Sequence, residues 1–309
     1  MQKLRKLVNK NFLSSLDISK EELIYLLELA ENLKNKNIEF DFKNKVLGLI
    51  FDKSSTRTRV SFQVAMSRLS GTTIDLNPTT SQIGRGEPIK DTARVLSSYC
   101  DVLAIRTYNQ TDLEEYAKWS TIPVINALTD LEHPCQILAD FLTIKEEFGE
   151  FKNIVLTYIG DGNNVANSLL LSGLLLGIKI RIACPKGYEP PSSIVEKAII
   201  LDPLKENFTI TSNLEKALVG ANVLYTDVWS SMGEEENSEK KDKFFEGFSI
   251  NQSILDKTAG NAIVLHCLPA YRGKEITDQI IESSNSRVFE QAENRLYAQQ
   301  SLLASMLTK

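Results

Sequence analysis

A turn that follows a short apolar run carries the residues best suited to hold an anion. Between positions 55 and 59 it places three hydroxyl side chains and two arginines, namely Ser55, Thr56, Arg57, Thr58 and Arg59. Unpaired amides and the dipole at the start of a helix favour an anion, and a guanidinium adds a bidentate charged contact. We therefore expect a phosphate group to bind here. The simpler alternative is a Ser/Thr helix cap with surface arginines.

Other polar residues also follow short apolar runs, directly or within one loop. They are Arg106, His133, Gln136, Asn163, Asn164, Asp227 and Cys267. In open α/β sheets, ligands bind beyond the carboxyl ends of the strands. We therefore expect these side chains to take part in binding or chemistry. For the two asparagines, the alternative is that one of them caps the helix that follows.

The sequence does not favour a metal site or a Cys–His dyad. The only two histidines, His133 and His266, lie far apart and lack the spacing of metal ligands. Adjacent residues on a strand point to opposite faces, so His266 and Cys267 cannot act as a dyad. The four cysteines are widely spaced without a CxxC pair, which predicts free thiols in a reducing compartment. We expect no metal ion.

A glycine pair after one strand resembles the start of a dinucleotide-binding loop, but the pattern is incomplete. Gly160 and Gly162 have the spacing of its first two glycines, whereas Val165 stands where the third belongs. The acid that binds a ribose about 20 residues further on is also missing. We therefore expect no nucleotide cofactor and exclude a dehydrogenase.

Composition restricts the class of protein. The chain has 309 residues with 42% hydrophobic and 24% charged side chains, which excludes disordered, collagenous and coiled-coil proteins. The net charge of −5 disfavours nucleic acid as a partner. The basic N-terminus lacks the apolar region of a secretory signal, and the longest nearly apolar stretch, 169–178, is too short to cross a bilayer. We expect a soluble cytoplasmic protein without a membrane partner.

Strand-like and helix-like patterns alternate along the chain and must position these polar residues. The predicted strands cover 46–51, 102–105, 124–126, 154–159, 178–183, 223–226 and 262–265. A first helix begins at a capping box formed by Ser19 and Glu22. The later predicted helices cover 60–70, 90–99, 134–148, 164–176, 192–200, 275–282 and 293–307. This alternation predicts parallel sheets covered by helices on both faces.

The length fits two domains of about 150 residues each. We expect the α/β class, with two doubly wound parallel-sheet domains joined by helices. The first domain covers 1–145 and the second 146–292. The last helix, within 293–309, has no strand after it and is expected to pack back on the first domain.

Four motifs together resemble the aspartate/ornithine carbamoyltransferase family. They are Phe51-x-Lys53-x-Ser55-Thr56-Arg57-Thr58-Arg59, His133-Pro134-x-Gln136, Asp227-x-Trp229-x-Ser231-Met232-Gly233 and His266-Cys267-Leu268-Pro269. The first two motifs are shared by the aspartate and ornithine enzymes, and the last two resemble the ornithine enzymes. The resemblance runs from residue 51 to at least 273, with Arg295 fitting a later position. No motif is broken.

The resemblance implies transfer of the carbamoyl group of carbamoyl phosphate to the δ-amine of L-ornithine, giving L-citrulline and phosphate in arginine metabolism. Arginine biosynthesis is the expected role, and arginine breakdown stays open as the alternative. The implied ligands of carbamoyl phosphate are Ser55, Thr56, Arg57, Thr58, Gln82, Arg106, His133, Gln136, Cys267, Leu268 and Arg295. The implied ligands of ornithine are Asn164, Asp227, Ser231 and Met232. The implied catalytic residues are Arg57, Arg106, His133, Asp227 and Cys267.

The family also implies a homotrimer, or a multiple of it, with Gln82 reaching the phosphate of a neighbouring subunit. Two alternatives stay open. One is a carbamoyltransferase for another amine, such as aspartate or putrescine. The other is a catalytically silent binding protein built on the same scaffold.

Overall fold

The protein forms two compact units, each built on a parallel sheet with helices. One unit comprises the described residues up to Leu142 and those from Glu293 onward, and the other is Thr143–Ala292. The predicted α/β class with two parallel-sheet domains is therefore confirmed. The computed structural model describes residues 7–77, 86–230 and 238–308.

The sheet of the first unit has four parallel strands in the order β2-β1-β3-β4. They are β1 Val46–Phe51, β2 Thr72–Leu76, β3 Val102–Arg106 and β4 Val124–Leu128. The last residues of three strands are neighbours across the ladder, because Phe51 pairs with Arg106 and Arg106 with Leu128. The loops after β1, β3 and β4 therefore leave the sheet side by side, at the edge where a ligand is expected.

Helices and the N-terminal segment complete the first unit. Its helices, two of which cross into the second unit, are α1 Lys20–Lys34, α2 Arg57–Arg68, α3 Ile89–Tyr99, α4 Gln110–Trp119, α5 Pro134–Phe148 and α12 Val288–Leu307. The predicted capping box of α1 is present, with Ser19 and Glu22 each accepting from the other's backbone amide. The amide of Phe12 donates to the carbonyl of Val124 at 2.8 Å, which extends the ladder beyond β4.

The sheet of the second unit has five parallel strands in the order β7-β6-β5-β8-β9. They are β5 Val155–Ile159, β6 Lys179–Ala183, β7 Phe208–Thr211, β8 Val223–Thr226 and β9 Ile263–His266. The helices are α6 Asn164–Leu176, α7 Ser192–Leu201, α8 Leu214–Leu218, α9 Ser238–Phe244, α10 Gln252–Leu255 and α11 Asp278–Ile281. Ile159 pairs with Thr226, and Thr226 with His266, so the loops after β5, β8 and β9 also leave side by side.

The two boundaries between the units fall inside α5 and α12. The later part of α12 belongs to the first unit. There Ser305 accepts from the amide of Leu7 at 3.1 Å, and Asn294 accepts from the ammonium of Lys34 at 2.7 Å. The helix begins at Val288, five residues before the predicted start at 293.

Several elements differ from the pattern-based predictions. Strand β2 is absent from those predictions, since its residues are mostly exposed on an edge and form no apolar run. Strand β7 is likewise a short edge strand, and α4 has too few apolar residues for a clear stripe. The predicted helix over 275–282 is wrong in its first turn, because Ile276 pairs with Ile250 as a bridge and only α11 follows.

Candidate active site

The turn after β1 forms the start of α2 without an ordinary side-chain cap. Thr56 is the N-cap residue in a right-handed helical conformation, and within the described residues its side chain makes no capping hydrogen bond. The cap alternative is therefore wrong at Thr56. Ser55 is half-buried and Thr56 exposed, so neither residue is buried at this helix N-terminus, a position that favours an anion.

Three predicted site residues meet although they are far apart in the sequence. The guanidinium of Arg295, on α12, donates to the hydroxyl of Thr58 at 2.6 Å and also to the side-chain oxygen of Gln136. The Gln136 amide in turn donates to Asp140 at 2.8 Å. All four side chains are buried. Helices α2, α5 and α12 are thus joined by hydrogen bonds at this point.

His133 lies among three guanidinium groups. Its side chain is 4% exposed. Burial is the largest cause that holds its pKa well below the usual value, and the positive charges of Arg295, Arg106 and Arg57 lower it further. His133 is therefore a neutral imidazole at pH 7, able to donate one hydrogen bond. The excess of positive charge around it suits a ligand that carries two negative charges.

The depressed pKa of His133 predicts a specific loss of stability in acid. In the unfolded chain a histidine has a pKa of about 6.5. As the pH falls below that value the unfolded chain binds a proton that the folded protein does not, so stability decreases by up to about 1.4 kcal/mol per pH unit until the folded-state pKa is reached. Above that window this contribution is fully present. We expect the thermal midpoint of wild type to fall more than that of His133→Gln between pH 7.5 and 5.5.

Wild type and His133→Gln can be compared directly, because glutamine at position 133 does not bind a proton in the unfolded chain. A histidine NMR titration provides the control, since the chain has only two histidines and the variant assigns the signal of His133. Titration of that signal near pH 6.5, or an equal fall in both thermal midpoints, contradicts the prediction.

In the second unit, Asp227 is held by a network of hydrogen bonds. One of its carboxylate oxygens accepts from the amide of Asn163 at 2.8 Å, and the other from the thiol of Cys267 at 2.9 Å. The carboxylate is 7% exposed. Its position directly after β8 thus places a fixed negative charge at the carboxyl end of the sheet, where an ammonium group of a ligand can pair with it.

The sequence left open which asparagine caps α6, and the structure assigns the cap to Asn163. The side-chain oxygen of Asn163 accepts from the backbone amides of Val165 and Ala166 at 3.0 and 3.1 Å. Because that oxygen is engaged, the NH2 group is directed to Asp227. Asn163 is absent from the ligand set that the family resemblance implies, although its place after a strand marks it as a candidate, and it contacts Asp227 from the helix cap. Asn164 is the first residue of α6.

The neighbouring glycine has a packing role rather than a phosphate-binding one. A Cβ on Gly162 would lie 2.3 Å from the backbone nitrogen of Pro190, so only glycine fits there. The close approach to Pro190 explains why glycine stands here, without a bound dinucleotide.

Tyr158, buried under the same loop, donates to Asn163 at 3.3 Å. Burial, followed by the charge of Asp227, raises the pKa of this phenol well above its usual value, so it stays protonated.

His266 and Cys267 bind different partners, but the reason expected from the sequence is wrong. Strand β9 ends at His266, so Cys267 lies beyond it, and donor atoms of the two side chains are within 4.8 Å of each other rather than on opposite faces. The amide of Leu268 donates to Nδ1 of His266 at 2.8 Å, so the ring proton is on Nε2, which lies 3.2 Å from Glu275. Cys267 contacts Asp227 instead. Leu268 takes the left-handed conformation at φ 57°. His266 therefore supports the turn that presents Cys267 and Leu268.

Among the described residues, one group of side chains has the arrangement of a metal site. Donor atoms of Asp227, His266 and Cys267 lie within 4.8 Å of one another. Both ring nitrogens of His266 already make hydrogen bonds, to Leu268 and Glu275. A metal ion here must displace one of them. The absence of a metal stays a prediction.

Most predicted ligands fall into two groups, one in each unit. The first unit holds Ser55, Thr56, Arg57, Thr58, Arg106, His133, Gln136 and Arg295. The second unit holds Asn164, Asp227, Cys267 and Leu268. Three predicted ligands lie outside the described residues, namely Gln82, Ser231 and Met232.

Family models match nearly the whole chain. Residues 10–146 match the carbamoyl-P binding domain of aspartate/ornithine carbamoyltransferase, and residues 152–306 match its Asp/Orn binding domain. The chain therefore belongs to the aspartate/ornithine carbamoyltransferase family.

Among the described residues, no helix has both the length and the apolar character needed to cross a membrane.

Relatives and solved structures point to one branch of that family. An ornithine carbamoyltransferase of Prochlorococcus marinus (strain MIT 9312) is 68% identical over 308 residues, which cover 100% of both chains. One of Nostoc punctiforme is 56% identical and covers 97% of this chain and 98% of its own. The structure of ornithine carbamoyltransferase from Pyrococcus furiosus has a TM-score of 0.93 at 43% identity, covering 98% of each chain. That of the anabolic enzyme from Campylobacter jejuni has a TM-score of 0.91 at 41% identity, covering 96% and 98%.

Proposed function

We propose that the protein transfers the carbamoyl group of carbamoyl phosphate to the δ-amine of L-ornithine, giving L-citrulline and phosphate. The observation that carries the proposal is the group of three guanidiniums around His133. Arg57 and Arg106 lie at the carboxyl ends of β1 and β3, His133 follows β4, and Arg295 reaches Thr58 and Gln136 from α12. This concentration of positive charge suits a doubly charged phosphate donor. The full-length similarity to proteins named ornithine carbamoyltransferase supports the choice of acceptor.

The donor is proposed to bind to the first unit. Its phosphate is held by the turn at the start of α2, where backbone amides, hydroxyls and the guanidinium of Arg57 favour an anion. Its carbamoyl end is held by Arg106, His133 and Gln136. Arg295 orders this end through its hydrogen bonds to Thr58 and Gln136. Leu268 and Gln82 complete the proposed donor contacts.

The acceptor is proposed to bind to the second unit. The carboxylate of Asp227 pairs with the α-ammonium of ornithine, and its two hydrogen bonds fix its orientation. Asn164, Ser231 and Met232 are proposed to hold the α-carboxylate. Putrescine also has a second amine, so Asp227 by itself does not separate it from ornithine. The ligands of the α-carboxylate make that distinction, since putrescine lacks this group.

The proposed reaction is direct attack of the neutral δ-amine on the carbonyl carbon of the donor. A free alkyl ammonium has a pKa of about 10.4, and positive charges near the donor favour its deprotonated form. Attack produces a tetrahedral oxyanion, which Arg106, His133 and the hydroxyl of Thr58 stabilise. Losing one such donor typically costs about 3–4 kcal/mol in the barrier. The C–O bond to phosphate then breaks, Arg57 neutralises the departing phosphate, and that phosphate takes up the amine proton.

Cys267 is proposed to position Asp227 rather than to attack the donor. Its thiol donates to the carboxylate of Asp227. In that hydrogen bond the sulfur is the donor, so its proton is directed at the carboxylate. The thiol is therefore suited to orient the carboxylate and to line the site next to Leu268.

The protein is further proposed to form a homotrimer, or a multiple of it, in which Gln82 reaches a neighbouring site. Support comes from an exposed apolar surface on α2 and the edge strand β2, where Val60, Val64 and Ile74 are 49%, 36% and 41% exposed. Within the part of the chain that the structure describes, β2 is an edge strand, and an edge with apolar neighbours usually needs a partner.

The proposed role is arginine biosynthesis in the cytoplasm. All four cysteines are free thiols, as in proteins of reducing compartments. The similarity to the anabolic ornithine carbamoyltransferase of Campylobacter jejuni supports the biosynthetic direction.

A citrulline assay with three amines tests the proposed function. Purified protein receives carbamoyl phosphate and, in turn, ornithine, putrescine or aspartate, and the carbamoylated product and phosphate are measured. We expect equal amounts of citrulline and phosphate with ornithine and little product with the other amines. Faster carbamoylation of putrescine or aspartate reassigns the acceptor, and the absence of any product supports a silent binding protein.

A further inference from the structure

One buried ammonium joins the three loops that leave the sheet of the first unit. Lys53 is the second residue after β1, Tyr108 the second after β3, and Asp130 the second after β4. The ammonium of Lys53 pairs with the carboxylate of Asp130 and lies 4.2 Å from the ring centre of Tyr108. The Lys53 side chain is only 7% exposed, whereas that of Asp130 is 59% exposed. A buried ammonium that pairs with a carboxylate and lies over an aromatic ring is thus shared by three loops.

Backbone hydrogen bonds also continue across these loops beyond the ends of the strands. The amide of Asp52 donates to the carbonyl of Arg106 at 2.9 Å. The amide of Asp130 donates to the carbonyl of Tyr108, also at 2.9 Å. Neither bond connects the loop after β1 to the loop after β4, because β3 lies between their strands. The Lys53–Asp130 pair makes that connection.

The same three loops carry the parts of the proposed donor site. Lys53 is two residues from Ser55, Tyr108 is two residues from Arg106, and Asp130 is three residues from His133. A small shift of one loop therefore changes the distance between the phosphate-binding turn and the groups that polarise the carbonyl. Misplacement by about 1 Å can cost about 100-fold in rate.

We infer that Lys53 is a positioning residue for the donor site, acting through Asp130 and Tyr108 to fix the mutual placement of the three loops. The inference rests on the proposed function, because it concerns the site that function assigns to carbamoyl phosphate. The ion pair with Asp130 directs the ammonium to the neighbouring loop. The competing role, direct binding of the donor phosphate by the same ammonium, makes a different prediction for Asp130.

A double-mutant cycle distinguishes the two roles. If Lys53 acts through Asp130, then Lys53→Met and Asp130→Asn each raise the KM for carbamoyl phosphate by about 10- to 100-fold. The double variant is then no worse than either single variant, because both remove the same interaction. Lys53→Arg restores most of the affinity, since a guanidinium can pair with a carboxylate and stack on an aromatic ring. The KM for ornithine stays within about twofold.

A second ion pair of the same sheet provides the matched control. Lys45 pairs with Asp101 at 2.6 Å and joins β1 and β3 at their amino ends, away from the donor site. Lys45→Met removes a lysine–aspartate pair from the same strands, so it reports any general loss of stability. We expect a small decrease in the thermal midpoint and an unchanged KM for carbamoyl phosphate.

Two kinetic results overturn the inference. A wild-type KM in Asp130→Asn, together with a raised KM in Lys53→Met, shows that the ammonium binds the donor itself. A rise in KM as large in Lys45→Met as in Lys53→Met shows a general effect of stability.

A binding measurement tests the role of Lys53 independently of the proposed enzymatic function. If wild type makes no citrulline, the stabilisation of the whole chain by inorganic phosphate still reports on the loops. The inference then requires that phosphate raises the thermal midpoint of wild type and of Lys45→Met. It also requires that this shift is reduced equally in Lys53→Met and Asp130→Asn. Equal shifts in all four proteins overturn it.

Discussion

Replacing Arg57 with glycine is expected to lower kcat/KM for carbamoyl phosphate by at least about 10³-fold while the protein stays folded. Arg57 begins α2 at the phosphate-binding turn and is one of three positive charges around His133. Loss of a single preorganised donor costs about 10²–10³ in rate, and Arg57 is proposed to bind the phosphate in the ground state as well. Steady-state citrulline formation at varied carbamoyl phosphate measures the change.

Arg68→Gly is the matched control for this variant. Arg68 is the last residue of the same helix and lies over the ring of Tyr297, 5.4 Å from its centre. The control thus introduces the same flexible residue in α2, at a cost of up to about 1 kcal/mol, and also removes a cation–π contact. We expect it to lower the thermal midpoint and to leave kcat/KM nearly unchanged. Near-normal activity of Arg57→Gly removes the proposed donor site.

Replacing Arg57 with glycine is also expected to change the pKa of His133, which an activity assay does not measure. Positive charge at Arg57 is one of the causes that lower the pKa of His133, after burial and the other two arginines. Its removal is therefore expected to raise that pKa toward the usual value, and a histidine NMR titration measures the shift. An unchanged titration with lost activity shows that Arg57 acts on the donor alone.

Replacing Asp227 with asparagine is the second change expected to be severe, and its effect should fall on the other substrate. Asp227 is buried with both oxygens in hydrogen bonds. Asparagine keeps the shape and removes the charge. Breaking a buried charge pair costs about 2–5 kcal/mol, so we expect the KM for ornithine to rise by about 10²-fold or more. The KM for carbamoyl phosphate should change by less than about threefold.

Asp202→Asn provides the matched control in the same unit. Asp202 is 8% exposed, and its carboxylate accepts from the backbone amide of Asn207 at 2.7 Å. The substitution removes a buried, hydrogen-bonded carboxylate outside the proposed ornithine site. We expect a lower thermal midpoint and an unchanged KM for ornithine. An equal rise of the ornithine KM in both variants, or a change confined to the carbamoyl phosphate KM, contradicts the role of Asp227.

The strand ends are predictable from the sequence because parallel sheets impose a simple rule. A short apolar run of three to six residues marks a buried strand, and the polar residues after it leave the same edge as those after its neighbours. This rule by itself identifies the loops of Arg106, His133, Asp227 and Cys267. It does not identify β2 and β7, since the apolar pattern fades on exposed edge strands.

The composition of the site within one loop is also readable from the sequence, but its internal hydrogen bonds are not. The sequence leaves Asn163 and Asn164 as equal candidates for the helix cap, and the cap assigns Asn163 to Asp227 as well. Likewise, the alternation of a strand does not apply to His266 and Cys267, because β9 ends at His266 and their donor atoms lie within 4.8 Å of each other. The partner of His266, Glu275, follows from a turn that no local pattern predicts.

By itself, the sequence determined the two-domain parallel α/β class, the family, and the turn with hydroxyls and guanidiniums after β1. These features depend on the order of residues within short segments, because the spacing of apolar residues and the side-chain types in a motif can be read without knowledge of distant contacts. Only the tertiary structure decided that Arg295 contacts Thr58 across 237 positions of sequence, that His133 is neutral, and that Lys53 joins three loops. Such contacts depend on how distant elements pack, and a pKa depends on the burial and charges that packing creates.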